Sequence, residues 1–430
     1  LYDWSNLDIG KNNLIELLNK KKRAINPFPL LSLIDNPEQH KNCAEIFVND
    51  KYKDPELKIR KYLKKKSDKI RIGYFSPDFR NHPMLFLMMD VFKYHDKSKF
   101  DVYAFSFGPE AKGEIYDTVK GFFTEFINVR DISDKDLIKL SRDMKIDIAI
   151  DLCAYTAYNR ASIFNSRLAP IQVNYLGYPG TMGANFIDAI IADNIVIPEA
   201  DKKYYTERVF NLPNCYQACP KNLPMSDKKF RRSELGLPED AVVFCNFNAN
   251  FKNTPDMFTA WTNIMKKVPN SVLWIMETKD EVGAINILNE AEKRNIDKNR
   301  IIFAESMDRE FHLKRYELAD LFLDSFPYNA HTTSSDAIRM GVPILTLKGK
   351  SFASRVSASI LNQVNMNELV TNSIEEFQEK AVALGNDKNK LKKIKETIKK
   401  NVPHSKLFDS LTFTKDLEKI YQELINEKKD

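Results

Sequence analysis

The feature that most constrains this chain is a change of rhythm at Ile70, where short apolar runs begin to alternate with longer amphipathic stretches. The runs are Ile70 to Phe75, Val102 to Phe107, Phe123 to Val129, Ile146 to Leu152, Ile171 to Leu176, Ala189 to Ala192 and Val209 to Leu212. Short runs of this kind suit strands buried on both faces, and strands separated by helices pair in parallel. A polar, Pro-containing and Lys-rich stretch from Pro213 to Pro238 interrupts the series. It resumes with Val242 to Phe247, Val272 to Met276, Ile301 to Ala304, Leu321 to Phe326 and Pro343 to Leu347. The expectation is an α/β protein with two Rossmann-like, doubly wound domains facing a cleft, and ligands off the carboxyl ends of the strands.

At 430 residues the chain exceeds what one core usually serves. The expected division is a helical segment over 1–66, a first Rossmann-like domain over 67–225, a second over 226–410 and a C-terminal helix over 411–430. In the first of these, Leu14, Ile15, Leu17 and Leu18 form one apolar stripe and Ala44, Ile46 and Phe47 another, with the breakers Asn26-Pro27-Phe28-Pro29 between them. Two helices do not stabilise a solenoid, so this segment reads as the end of a helical repeat array. Residue 1 is Leu, not Met, and a piece of a longer protein is expected. The lysine-rich run Lys58 to Lys69 reads as a solvated linker.

The net charge of +6 is the difference between 65 basic and 59 acidic residues, too dilute for a nucleic-acid footprint. Of the five cysteines only Cys215 and Cys219 lie close together, without a second pair to complete a zinc site. Reduced thiols and a cytoplasmic location are therefore expected. No stretch approaches the roughly 20 apolar residues of a membrane span. Neither G-x-x-x-x-G-K-[ST] nor G-x-G-x-x-G occurs, which argues against nucleotide hydrolysis and dinucleotide redox chemistry. Asp134-Lys135-Asp136 has the spacing of a metal-holding Asp-x-Asp, but it opens an amphipathic helix instead of closing a strand. No metal or other cofactor is expected, and cationic side chains must then neutralise any phosphate.

Residues just after the strands are the candidates for such a site. After Phe75 comes Ser76-Pro77-Asp78-Phe79-Arg80-Asn81-His82-Pro83, which sets the His82 imidazole at a helix start as a proton-transfer group or a helix cap. After Leu176 the three glycines Gly177, Gly180 and Gly183 permit close backbone approach to a ligand or simply a tight turn. Phe247-Asn248-Ala249-Asn250-Phe251-Lys252 places one lysine where an ammonium would neutralise a leaving diphosphate. The run Tyr328-Asn329-Ala330-His331-Thr332-Thr333-Ser334-Ser335-Asp336 opens a helix whose free amides suit a phosphate, although Thr and Ser are also ordinary caps. Arg309, His312 and Arg315 share one helix face, to frame a base or ribose or to serve as surface charge.

Seven ordered segments then resemble the catalytic region of the protein O-linked N-acetylglucosaminyltransferases, particularly bacterial members that follow tetratricopeptide repeats. They are IRIGYFSPDFRNHP (70–83), APIQVNYLGYPGTMGANFID (169–188), CNFNANFK (245–252), VPNSVLWIM (268–276), NRIIFAES (299–306), LDSFPYNAHTTSSDA (323–337) and ASRVSASIL (353–361). The resemblance implies a GT-B fold and an inverting, metal-independent enzyme. Such an enzyme moves a sugar, N-acetylglucosamine foremost, from a uridine diphosphate (UDP) sugar to Ser or Thr hydroxyls of an acceptor protein or peptide. It further implies that Lys252, Thr332 and Thr333 contact the diphosphate, Asp336 and Arg309 the ribose, His312 and Arg315 the uracil, and Gly177 and His331 the sugar. His82 matches a histidine that acts as base or as substrate positioner. Against the animal pattern, Ala249 replaces a glutamine, Arg309 a lysine, Tyr328 a cysteine and Ala154 a glycine, and Met84-Leu85-Phe86 is bulkier than usual, which implies a bulkier sugar pocket. Competing readings are an N-glucosyltransferase acting on Asn, a nucleotide-sugar epimerase and a non-catalytic UDP-sugar-binding adaptor.

Overall fold

The computed structural model of the chain describes residues 2–58, 69–278 and 280–427, so most of the Lys58 to Lys69 run lies outside the described residues. The chain forms two compact units. The N-terminal unit comprises Leu14–Leu30, Asn36–Lys221 and Lys406–Asp430, and the C-terminal unit comprises Leu1–Asn13, Leu31–Asp35 and Asn222–Ser405. The interrupted stretch Pro213 to Pro238 thus contains the crossing from one unit to the other, between Lys221 and Asn222.

The N-terminal unit is built on a seven-stranded sheet of β1 (Ile70–Ser76), β2 (Phe100–Ser106), β3 (Glu125–Asn128), β4 (Ile148–Asp151), β5 (Ile171–Asn174), β6 (Ala189–Asp193) and β7 (Arg208–Leu212). All neighbours pair in parallel in the order β3-β2-β1-β4-β5-β6-β7. In β1, Ile72, Tyr74 and Phe75 are fully buried, and the Phe75 and Phe105 rings stack at 4.3 Å across the β1–β2 pair. Each such side chain contributes roughly 1.5–3 kcal/mol of burial, which is why continuous apolar runs mark these strands.

The C-terminal unit repeats the plan with six strands: β8 (Val242–Asn246), β9 (Ser271–Met276), β10 (Ile301–Ala304), β11 (Leu321–Leu323), β12 (Ile344–Leu347) and β13 (Val370–Thr371). Their order is β10-β9-β8-β11-β12-β13, again parallel throughout. In each sheet the strand order reverses beside the first strand, between β1 and β4 and between β8 and β11. Ligands of doubly wound sheets sit outside the carboxyl ends of the strands at such a switch point. Two differences from the sequence expectation are local. β11 ends at Leu323, not Phe326, because the Asp324 side chain turns the chain by accepting from the Ser325 and Ala330 amides at 2.8 and 2.7 Å. The two-residue β13 was not anticipated, being too short to carry a period.

The N-terminal stretch forms helices Leu7–Asn19 and Pro37–Lys51, but it is not one body. Residues up to Asn13 and the five residues Leu31–Asp35 cluster with the C-terminal unit, and the remainder with the N-terminal unit. The Gly183 backbone has φ of +62° and lies so close to the second helix that a Cβ would meet the Glu45 nitrogen at 2.5 Å. The final helix, Ser410–Glu427, belongs to the N-terminal unit, where Glu418 accepts from the Asp96 amide at 2.8 Å and meets His95 Nδ1 at 2.9 Å.

Candidate active site

The switch point of the C-terminal unit gathers Lys252 and the loop that precedes helix Thr332–Arg339. Lys252 ends a short 3-10 turn, Asn250–Lys252, after β8. Its Nζ donates to the Asn329 carbonyl at 3.0 Å and lies 3.9 Å from the centre of the Tyr328 ring. The Tyr328 and His331 rings are 4.7 Å apart. Burial lowers the Lys252 amine to about 7, with Asp324 opposing the shift. Burial, then the nearby Lys252, holds His331 well below the ordinary imidazole range, so it is neutral at physiological pH. An arriving anion would therefore meet a poised amine whose protonated form it favours.

The helix start is open to a ligand. His331 occupies the N-cap position but makes no side-chain cap bond; its Nε2 faces the Ala353 carbonyl at 3.3 Å instead. The Ser334 and Ser335 amides both bond to the His331 carbonyl, whereas among the described residues nothing accepts from the Thr332 and Thr333 amides. Free first-turn amides carry the positive end of the helix dipole and suit a phosphate. The Thr333 hydroxyl donates to Asn248 Oδ1, and Asn248 Nδ2 donates to Ser325 Oγ at 2.7 Å, which ties the loop after β8 to the loop after β11.

Asp324, which sequence reasoning did not single out, organises this loop. Besides the two amides already named, it accepts from the Thr346 hydroxyl at 2.7 Å and from Asn248 Nδ2 at 3.3 Å. Burial raises its carboxyl pKa, and the bonds from Thr346, Ala330 and Ser325 are among those that oppose the rise. The available signal was a single acidic residue right after the short apolar run Leu321-Phe322-Leu323 and just before Ser325-Phe326-Pro327.

Arg309, His312 and Arg315 all lie on helix Arg309–Arg315. Arg309 is not free to reach out alone: its Nη2 pairs with Asp336 at 2.8 Å, and Asp336 is buried with its pKa raised by that burial against the opposing Arg309 charge. Arg315 is 1% exposed, donates from Nη1 to the Glu305 carbonyl at 2.8 Å, and lies 5.5 Å from the Phe247 ring centre. Among the described residues its Nε and Nη2 are buried without a partner, an arrangement that favours an incoming acceptor such as a base carbonyl. Burial, reinforced by Arg315 and Arg309, lowers His312 to about 3, so its ring is a neutral surface beside Phe247 at 5.5 Å and Tyr316 at 5.4 Å.

His82 and Gly177 belong to the N-terminal unit. His82 caps helix Pro83–Tyr94: its Nδ1 accepts from the Met84 amide at 3.3 Å and stands 3.6 Å from Asp78 Oδ2. Burial lowers its pKa, opposed by Asp78 and reinforced by Arg80. With Nδ1 accepting the cap bond, the neutral ring carries its proton on Nε2 and acts there as a donor. Gly177 has a packing reason of its own, since a Cβ would fall 2.0 Å from the Leu152 carbonyl oxygen. Ala154 sits at φ +48°, a left-handed conformation that costs an alanine about 1–2 kcal/mol and that glycine adopts freely. Just before it Asp151, at the end of β4, accepts from the Cys153 and Ala154 amides through Oδ1 at 2.9 and 2.8 Å, while among the described residues Oδ2 is buried without a partner. Burial raises its pKa to about 6. Met84, Leu85 and Phe86 are all buried. Asp134, the first residue of the Asp-x-Asp, accepts from Arg160 and Ser162, and Asp136 bonds with its own N-cap, Ser133.

Two parallel Rossmann-like sheets, the second carrying a half-buried lysine beside an uncapped helix start, define a glycosyltransferase of the GT-B type. The chain belongs to glycosyl transferase family 41, whose model matches residues 39–223 and 217–417. It is 35% identical over 364 residues to an Arabidopsis thaliana protein named "Probable UDP-N-acetylglucosamine--peptide N-acetylglucosaminyltransferase SEC", a match that takes in 83% of this chain and 37% of that protein. A Caenorhabditis elegans UDP-N-acetylglucosamine--peptide N-acetylglucosaminyltransferase is 25% identical over 97% of this chain and 47% of its own length. The chain thus spans less than half of these relatives. Among solved structures, a mutant O-GlcNAc transferase of Thermobaculum terrenum superposes with a TM-score of 0.82 at 27% identity, covering 91% of this chain and 75% of that one. The Anabaena protein HepE in complex with UDP and glucose shares the fold alone, with a TM-score of 0.57 at 13% identity. Among the described residues no helix is long and apolar enough to cross a membrane.

Proposed function

We propose that this chain is the catalytic region of an inverting glycosyltransferase that moves a sugar, N-acetylglucosamine foremost, from a UDP-sugar to Ser or Thr hydroxyls of a protein. The observation that carries the proposal is the placement of Lys252 Nζ 3.0 Å from the Asn329 carbonyl, three residues ahead of an uncapped helix start. In the reaction the acceptor oxygen bonds to the anomeric carbon as the bond from that carbon to the β-phosphate oxygen breaks. The electron pair leaves with the phosphate, and the acceptor hydroxyl proton passes to a phosphate oxygen of the departing UDP. Lys252 and the Thr332 and Thr333 amides take up the developing negative charge, the role that a metal fills in other transferases. Arg315 and the His312 ring receive the uracil, Arg309 and Asp336 the ribose, and His331 and Gly177 the sugar. His82, which keeps its cap bond through Nδ1, serves as an Nε2–H donor that positions substrate, not as the base. A reducing, cytoplasmic compartment suits the five free, buried thiols.

The deciding experiment compares wild type and Lys252→Ala with UDP-N-acetylglucosamine and a host-cell protein extract treated with EDTA, read by intact-mass gain. Wild type should add the sugar mass with EDTA present. Lys252→Ala should fold and lose transfer by about a hundredfold or more. An unmodified extract, or an active Lys252→Ala, would refute the reading.

A further inference from the structure

The five residues Leu31–Asp35 leave the N-terminal helical stretch to join the C-terminal unit, and they end on a carboxylate. Asp35 Oδ2 accepts from the Lys350 amide at 2.8 Å, and Oδ1 accepts from the Ser351 amide at 2.9 Å and the Ser354 hydroxyl at 2.7 Å. These groups lie in the loop from β12 to helix Val356–Gln363, which closes on itself through Gly349 N to the Ser354 carbonyl at 3.0 Å and Arg355 Nε to the Gly349 carbonyl at 2.9 Å. The carboxylate is wrapped closely. A Cβ at Gly349 would stand 2.3 Å from Asp35 Oδ2.

This loop delivers one buried carbonyl, that of Ala353, which accepts from the Asn329 amide at 3.0 Å and faces His331 Nε2 at 3.3 Å. Asn329 in turn offers its own carbonyl to Lys252. We propose that Asp35 is a positioning residue for the donor site: its carboxylate fixes the loop whose Ala353 carbonyl holds Asn329 and His331 in place, and through Asn329 it aims Lys252. The inference rests on the reading above, in which Lys252 and His331 bind the nucleotide sugar. It makes the N-terminal stretch part of the donor site's support.

The test uses the full 430-residue chain as wild type, Asp35→Ala, Asp35→Asn, Lys252→Ala and Asp387→Ala. Asp387 caps helix Lys388–Asn401 in the same unit by accepting from the Lys390 amide at 2.9 Å, so its loss reproduces the removal of a cap with no link to the loop. UDP is titrated by calorimetry, and the His331 imidazole nitrogens are followed by NMR. Both Asp35 variants should weaken UDP by about tenfold, the effect of one lost charged hydrogen-bonding group, and should shift the His331 Nε2 signal. Asp387→Ala should lower melting temperature while leaving both readouts unchanged. Asp35→Asn keeps the shape and guards against a misfolded Asp35→Ala. Wild-type UDP affinity and an unmoved His331 signal in Asp35→Asn, with affinity lost in Lys252→Ala, would overturn the role of Asp35 alone. Wild-type affinity in Lys252→Ala would remove the donor-site reading itself.

Discussion

Raising the pH should weaken UDP binding through a single group, Lys252. In the free protein burial places its pKa at about 7. A diphosphate beside the amine favours the charged form, so the pKa in the complex is higher and binding takes up a proton in the interval between the two values. UDP itself carries its full charge above about pH 7, since a terminal phosphate loses its second proton near 6. Relative to its acidic limit, the apparent Kd should therefore rise about twofold at pH 7, tenfold at pH 8 and a hundredfold at pH 9, until the pKa of the complex is reached. Calorimetry in two buffers of different ionisation enthalpy should find about 0.9 proton taken up per UDP at pH 8. Lys252→Met should bind weakly with no such slope. A flat Kd from pH 7 to 9, or a slope that survives in Lys252→Met, would refute the assignment of the titrating group.

Arg315→Met should weaken UDP by about tenfold or more while leaving melting temperature equal or higher, because it removes a buried guanidinium whose Nε and Nη2 have no partner; a stability loss with unchanged affinity would make Arg315 a core residue only. His82→Asn keeps an N-cap acceptor and should preserve stability, whereas His82→Ala should lose about 1 kcal/mol in denaturant melts. Transfer should fall in both variants, and full activity in His82→Asn would reduce His82 to a cap. Gly177→Ala should destabilise the chain by about 1–3 kcal/mol from the clash with the Leu152 carbonyl, measured by urea unfolding.

The sequence by itself determined the two tandem parallel sheets, because strands buried on both faces must be written as apolar runs and helices between them force the parallel order. It also exposed the residues proposed to bind phosphate, since a lone lysine after β8 and a Thr-Thr helix start after β11 fall at strand ends wherever the sheets lie. What only the tertiary structure decided is how those residues are held. Lys252 meets Asn329 across 77 positions, Thr333 meets Asn248 across 85, and Asp35 meets Ser351 across 316. No periodicity records a partner at such separations. The same is true of Tyr328 beneath the Lys252 amine, of Asp324 gathering four hydrogen-bonding groups beside the site, and of the left-handed turn at Ala154. The division of the N-terminal helical stretch between two units escaped the sequence as well, because an amphipathic stripe states that a helix face is buried but not against which body. Local hydrophobic pattern is fixed by the solvent each residue must face; site geometry is fixed by which distant groups satisfy one another's hydrogen bonds after the sheets have formed.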